Sequence, residues 1–355
     1  MGDKKGVRFS IPIILFLLFI LLPGCASTPV DKSPDFFWPP PPDKPRLKLE
    51  AQLRSLDDLN PPSDFQNFKR FATGESFAQP VLIKPYDVAA RAGLVVVTDT
   101  RSSVVQVFDI PRRKVFPIGW RREGILSEPA GVAIDRKRRI YVADSARGQV
   151  IVYDSLGLYL AEIGDPKQFS RLSDVAVSPA SGNIFALDRG GVDSPWHRIS
   201  VFSPDGTFLR FIGERGQDNG QLNHPSQLAI ANDGRVFVLD AGNFRVQIFN
   251  EQGEYLDSWG QIGQGLGNLA RPRGITINEQ GLVIISDAAF QNFQIFDVTG
   301  RLYLSVGSRT EPGSPGRYLL PSGVASDETG RIYVVDQILR KVDVWRIIDQ
   351  GVSDR

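Results

Sequence analysis

The sequence predicts an all-β chain, a six-bladed β-propeller of four-stranded antiparallel blades. Three observations carry that prediction. A strand ending in aspartate recurs at Asp99, Asp144, Asp188, Asp240, Asp287 and Asp336, at spacings of 45, 44, 52, 47 and 49 residues. Each of these strands is preceded by one that opens at Pro85, Pro129, Leu172, Pro225, Pro272 or Pro321, in four cases reading close to P-x-G-V-A. Each is followed by a third strand with a β-branched and aromatic ending, V-Q-V-F-D at Asp109, V-Q-I-F-N at Asn250 and F-Q-I-F-D at Asp297 among them. A four-stranded unit repeated at this length is the mark of propeller blades.

The stretch GRVFVLDAGNFRVQIFNEQGEYLDSWG, residues 234–260, shows the unit most clearly. Arg235 to Asp240 and Arg245 to Asn250 alternate with period two and are rich in strand formers. Ala241-Gly242-Asn243-Phe244 separates them. Glu251-Gln252-Gly253-Glu254 makes the next turn, with a glycine placed for a positive φ, and YLDSWG follows as the outer strand.

With P-x-G-V-A, a strand like G-x-I-Y-V-A-D, then R-V-Q-I-F-D and G-x-Y-L-x-x-x-G, residues 84–349 resemble NHL repeats. The resemblance implies the propeller fold and leaves activity open, because one such scaffold hosts many unrelated functions. Some enzymes sharing it are lyases that hold zinc through histidines, and some animal NHL proteins bind nucleic acid. Only His197 and His224 exist here, against the three protein ligands of a usual catalytic zinc site. His224, just before Pro225, reads as a packing residue.

From the beginning of the chain, Lys4, Lys5 and Arg8 precede the apolar run Phe9 to Leu22. Fourteen helical residues span about 21 Å, short of a bilayer core of roughly 30 Å, so residues 1–24 read as an export signal. Leu22-Pro23-Gly24-Cys25 resembles the bacterial lipobox, and Cys25 is the chain's single cysteine. The resemblance implies cleavage before Cys25 and its lipidation. Ala26, which is not aspartate, implies sorting to the outer membrane, facing the periplasm. The alternative, an uncleaved signal anchor with an incidental cysteine, is disfavoured by the short segment and the cysteine's position. One cysteine excludes an internal disulfide.

Charge excludes little and favours no polyanion. Residues 1–24 hold three basic side chains and one acidic, so the +1 of the whole chain becomes −1 without them. That balance, with export, argues against a nucleic-acid partner.

Residues 25–45 read as a proline-rich tether, with Pro39 to Pro42 expected as a polyproline II spacer. Phe36, Phe37 and Trp38 belong either at the membrane interface or on the propeller wall. Residues 46–55 alternate like a strand, and the sixth repeat lacks its fourth strand, so this segment is expected to close the ring as that blade's outer strand. Residues 56–80 form an insertion, where Phe65, Phe68 and Phe71 predict a short amphipathic helix. Packing of that helix on the blades is favoured over partner binding. Residues 350–355 form a tail.

The six strand-ending aspartates are expected to cap turns through their carboxylates rather than to ring a metal. No metal or other cofactor is assigned, and no Ser-His-Asp grouping, phosphate loop or redox motif is visible. The loops after second and fourth strands share one face. They carry Arg101, Arg121, Arg122, Arg147, Arg189, Arg215, Arg271, Arg309, Arg317 and Arg340 with Trp120, Trp196, Phe244, Phe290 and Tyr318. Asp188 to Arg198 is the longest second-to-third strand loop and brings Trp196 beside His197. Arginine with aromatics is the composition of interface hot spots and anion sites. Arg101, Arg147, Arg189, Trp196, His197, Phe244, Phe290 and Arg340 are the binding candidates, weighed about evenly against an ordinary solvated loop surface.

The expectation is a monomeric, lipid-anchored scaffold for an envelope protein or anionic glycan. The alternative is a metal-dependent lyase or lactonase-like hydrolase with its site in the central channel.

Overall fold

The second strand of every repeat is a short apolar run buried on both faces, such as IYVAD at Ile140–Asp144 and VFVLD at Val236–Asp240. Such strands need cover on both sides, and a ring of face-packed sheets supplies it. The computed structural model describes Gly2 and residues 35–73, 80–307 and 315–348.

Two strands, β1 (Phe36–Trp38) and β2 (Leu47–Leu53), and helix α1 (Asp64–Thr73) precede the repeats. Blade one holds β3 (Pro85–Arg91), β4 (Leu94–Asp99), β5 (Val104–Asp109) and β6 (Lys114–Ile118). Blade two holds β7 (Pro129–Ile134), β8 (Ile140–Asp144), β9 (Gln149–Tyr153) and β10 (Tyr159–Ile163). Blade three holds β11 (Leu172–Val177), β12 (Ile184–Asp188), β13 (Arg198–Phe202) and β14 (Phe208–Ile212). Blade four holds β15 (Gln227–Ile230), β16 (Val236–Asp240), β17 (Arg245–Phe249) and β18 (Tyr255–Trp259). Blade five holds β19 (Pro272–Ile277), β20 (Val283–Asp287), β21 (Asn292–Phe296) and β22 (Leu302–Val306). Blade six holds β23 (Pro321–Ser326), β24 (Arg331–Asp336) and β25 (Lys341–Ile347), extended by β2 and then β1.

All pairings between these strands are antiparallel, and each blade is a meander except where β2 joins β25. The first strands touch in sequence, β3 to β7, β11, β15, β19, β23 and back to β3, so they surround the axis. The apolar core is divided among the seams. Val132 and Ile151 meet Val96 and Val107 between blades one and two. Phe293 and Ile295 meet Val334 and Trp345 between blades five and six. Val88 and Val97 meet Ala325 and Val335 across the closing seam.

Closure is by the expected segment. Leu49 lies opposite Trp345 and Leu53 opposite Val342, which makes β2 the fourth strand of blade six. The expected tether differs. Phe36–Trp38 pairs with Leu47–Leu49 as a fifth strand, and the chain turns at Pro41-Pro42 instead of running on as a polyproline spacer. The propeller unit therefore starts at Phe36. The reason is burial. Phe36 packs 5.9 Å from the Trp345 ring, and the Trp38 indole donates to the Ser305 carbonyl at 2.7 Å, so two aromatics gain cover a solvated spacer would deny them. Phe36 and Trp38 thus rest on the propeller wall, while Phe37 faces solvent.

Helix α1 forms where the phenylalanine spacing predicts it. Phe65 is 74% exposed, so the expected packing on the blades fails at that residue. The side chains of Phe68 and Phe71 lie outside what is described, as do residues 1, 3–34, 74–79, 308–314 and 349–355, with Cys25, Arg309 and the C-terminal tail among them. No described helix is long and apolar enough to cross a membrane.

Candidate functional site

The repeated aspartates hold the loop face together. Asp99 accepts from the backbone N–H groups of Ile83 and Lys84 through Oδ2 and from Arg101 and Ser102 through Oδ1, at 2.6 to 3.1 Å. Asp336 does the same for Leu319, Leu320, Ile338 and Leu339. Asp144, Asp188 and Asp287 likewise join the loop entering their blade to the turn after their own strand. Asp240 takes the Asn223 N–H and side chains of Asn243, Arg245 and Gln247. All six are fully buried with both carboxylate oxygens engaged. Their chemistry is spent on the backbone.

Other acids converge on the axis. The third position of each repeat, counted from Pro85, Pro129, Leu172, Pro225, Pro272 and Pro321, reads Asp87, Gly131, Asp174, Gln227, Gly274 and Gly323 around the ring. Asp87 Oδ2 accepts from the Val132 N–H of the next blade at 2.9 Å, and its Oδ1 accepts from Gln227 Nε2 of the opposite blade at 2.6 Å. Asp174 Oδ2 accepts from the Leu228 N–H at 2.8 Å, and Gln227 Oε1 from the Ile275 N–H at 2.7 Å. The glycines make room: a Cβ on Gly131 would collide with Asp174 Oδ1, and one on Gly323 with Asp87 Oδ1. Beyond this level the channel is lined by small residues, Ala89, Ala133, Ala176, Ala229, Thr276 and Ala325, and leads to the face of the first-to-second strand turns.

Burial pushes the Asp87 carboxyl up to about 7 against the pull of its N–H donors. Burial, then the Asp87 charge, pushes Asp174 well above the usual carboxylate range. Burial and mutual repulsion therefore both resist ionising the two acids together. No three of His, Cys, Asp and Glu gather into a metal-holding group among the described residues.

Where the axis meets the loop face, cations gather. The Arg189 N–H donates to the Arg171 carbonyl at 3.1 Å, which sets these two residues side by side. Arg189 meets the Tyr86 hydroxyl from blade one, and the Arg273 guanidinium of blade five lies 5.7 Å from the Tyr86 ring centre. Arg189 Nε is buried without an acceptor. Burial lowers the Arg189 pKa, and Arg171 and Arg273 lower it further while Tyr86 opposes them.

The predicted binding residues scatter over this face. Arg189 is at the mouth. Arg101 and Arg340 are exposed on the rim. Trp196 is half-buried under the Arg198 guanidinium at 4.6 Å. Arg147 is tied to Glu162 at 2.6 Å and to the Ile125 carbonyl, so its charge is already answered. Phe244 and Phe290 are half-buried, and Phe244 packs on the seam of blades four and five. His197 differs from expectation. It is fully buried beneath its loop, its Nδ1 takes the His224 N–H at 3.2 Å, and its ring lies 4.5 Å from that of His224. Burial and then His224 lower its pKa, so it serves as a neutral packing group. Tyr318 is buried too, accepting from the Trp345 indole at 2.9 Å. Sequence reasoning passed over Tyr86, Asp87, Arg171, Asp174, Gln227 and Arg273. The available signal was the departure from P-x-G-V-A at its third position, which marks Asp87, Asp174 and Gln227, whereas Tyr86 and Arg273 fall on the variable position and Arg171 precedes the motif.

Residues 126–153 match the NHL repeat, and residues 207–305 match a family described as 6-bladed beta-propeller. A segment covering 33% of the chain is 32% identical to Protein brain tumor of Drosophila melanogaster, and one covering 32% is 35% identical to Peptidyl-glycine alpha-amidating monooxygenase B of Xenopus laevis. These segments span 11% and 14% of those relatives. Among solved structures, virginiamycin B lyase from Staphylococcus aureus superposes with a TM-score of 0.55 at 12% identity, over 85% of this chain and 100% of that one. XC5397, a gluconolactonase from Xanthomonas campestris, gives 0.55 at 17% identity over 75% and 86%. At these identities the likeness is one of fold.

Proposed function

From the premise that this chain is a six-bladed β-propeller carrying NHL repeats, we propose that it works as a rigid binding scaffold, anchored through a lipid on Cys25 and facing the periplasm from the outer membrane. Its partner is an envelope protein or an anionic glycan held on the loop face. One observation carries the reading. Six buried aspartates clamp the loops of that face from below, so the surface is organised before anything binds, and preorganisation lowers the entropic cost of association. Arg101, Trp120 and Arg340 stand exposed on it.

The test is crosslinking in intact envelopes with the wild type and an Arg101→Ala, Trp120→Ala, Arg340→Ala triple variant. Loss of a specific crosslinked partner at an unchanged melting temperature supports the scaffold. Capture undiminished in the triple variant removes this face from consideration. A Cys25→Ser chain tests the anchor, since it leaves the membrane fraction if the lipid holds it there.

A second reading, hydrolysis or elimination in the channel, is favoured by the Asp87 carboxyl held near neutrality, where an acid–base group works best. Its oxygens are occupied by Val132 and Gln227, which places this reading second.

A further inference from the structure

Among the described residues, the cations where the axis meets the loop face lack a carboxylate answer. Arg171, Arg189 and Arg273 have no carboxylate partner among the described residues, whereas Arg112, Arg139, Arg147, Arg235, Arg245, Arg331 and Arg346 are each paired with one. Like charges brought together at a half-buried site cost stability unless something compensates. The acids just inside the axis do not supply that compensation. Asp87 and Asp174 spend their oxygens on Val132, Leu228 and Gln227.

The placement is also specific. Tyr86 comes from blade one, Arg171 and Arg189 from blade three, and Arg273 from blade five, so alternate blades reach over one axis. Tyr86 links them, meeting Arg189 through its hydroxyl and Arg273 across its ring. Arg189 Nε is a buried donor with no acceptor. Guanidinium groups present paired N–H donors that match the two oxygens of a carboxylate or the edge of a phosphate.

We propose that the mouth of the axis on the loop face is an oxyanion site, in which Arg171, Arg189 and Arg273, with Tyr86, receive a carboxylate or phosphate group of the ligand. The inference rests on the scaffold reading for the face it uses and adds the chemistry recognised there. The plug of Asp87, Asp174 and Gln227 forms the floor, so the ligand is held at the mouth and does not enter the channel.

Titration of the full chain by calorimetry tests this, with inorganic phosphate as one probe and D-glucuronate as the other, in buffer free of other oxyanions. Saturable binding of either probe is expected, weakened about tenfold or more by Arg189→Gln and by Arg273→Gln and unchanged by Arg235→Gln, in the β15–β16 turn on the opposite face. Phosphate alone assigns a phosphate ligand, and glucuronate alone a sugar carboxylate. Binding of neither, or binding indifferent to the mouth variants, overturns the site.

A melt without ligand guards against a purely structural role. Removing one of several repelling charges should leave Arg273→Gln melting at or above the wild type. A fall of several degrees would show the arginine to be a prop and would overturn the proposal. Failure here with crosslinked capture intact removes the oxyanion site and leaves the scaffold standing, whereas loss of capture by the rim variant bears on the scaffold alone.

Discussion

Gln52 donates from Nε2 to Asp343 Oδ1 at 2.9 Å, joining the first full strand of the propeller to the last across 291 residues of chain. Asp343 also takes the Lys341 ammonium on Oδ2 at 2.7 Å, and both charged side chains are almost completely buried, 2% and 0% exposed. Burial pushes the Asp343 carboxyl up, and Lys341 draws it back. This polar knot sits where the ring is sealed.

Asp343→Ala should therefore destabilise the protein by about 3–5 kcal/mol, because it strands Lys341 as a buried unpaired charge. Gln52→Ala should cost about 1–3 kcal/mol, since it leaves one acceptor unsatisfied. Urea unfolding of both variants checks the order. Equal, small effects would mean that the seam is held by apolar packing alone.

The axial acids make stability fall with rising pH. A carboxyl raised in the folded state takes up a proton on folding, so its contribution is most favourable below the ordinary value of 3.8 and is lost as pH climbs to about 7. The expected loss is about 1–4 kcal/mol over that window. Asp174→Asn keeps an acceptor for the Leu228 N–H without the charge, and it should melt higher than the wild type above pH 7 with a flatter profile. Thermal melts across pH 4 to 8 decide it.

Replacing one clamp should unsettle one blade's loops. Asp99→Ala leaves four N–H groups without their acceptor, for a loss of roughly 3 kcal/mol or more. Hydrogen exchange should rise at Ile83, Lys84, Arg101 and Ser102 and not in the remote blade four. Exchange spread evenly over the ring would contradict a local clamp.

The scaffold reading also predicts that a chelator leaves the melting temperature of the purified chain unchanged. A stoichiometric metal whose removal lowers the melt would turn attention to the channel and to the second reading.

Much of the fold was legible because each blade repeats one local instruction. Strand periodicity, the turn residues and the terminal aspartate recur within about 50 residues, and they specify six meanders and the clamping role of residues such as Asp144. The binding residues were less legible. Arg147 and Arg189 occupy similar loops, yet one finds Glu162 and the other finds more arginines. Trp196 and His197 are neighbours in sequence, but adjacent loop positions point to opposite sides of the surface, and only the first reaches solvent. Phe36 and Trp38 looked like tether because their cover, Trp345 and Ser305, is supplied from the other end of the chain.

The sequence by itself determined the blades, their number and the seal by residues 46–55, because those depend on contacts within a repeat or on a missing strand that something must replace. Tertiary structure alone decided the axis. Asp87 meets Gln227 over 140 residues, and Tyr86 meets Arg189 and Arg273, because ring closure brings first strands from different blades to one line. Repetition fixes what each blade does with its neighbours, whereas the few positions where repeats differ acquire their chemistry only when the ring sets them face to face.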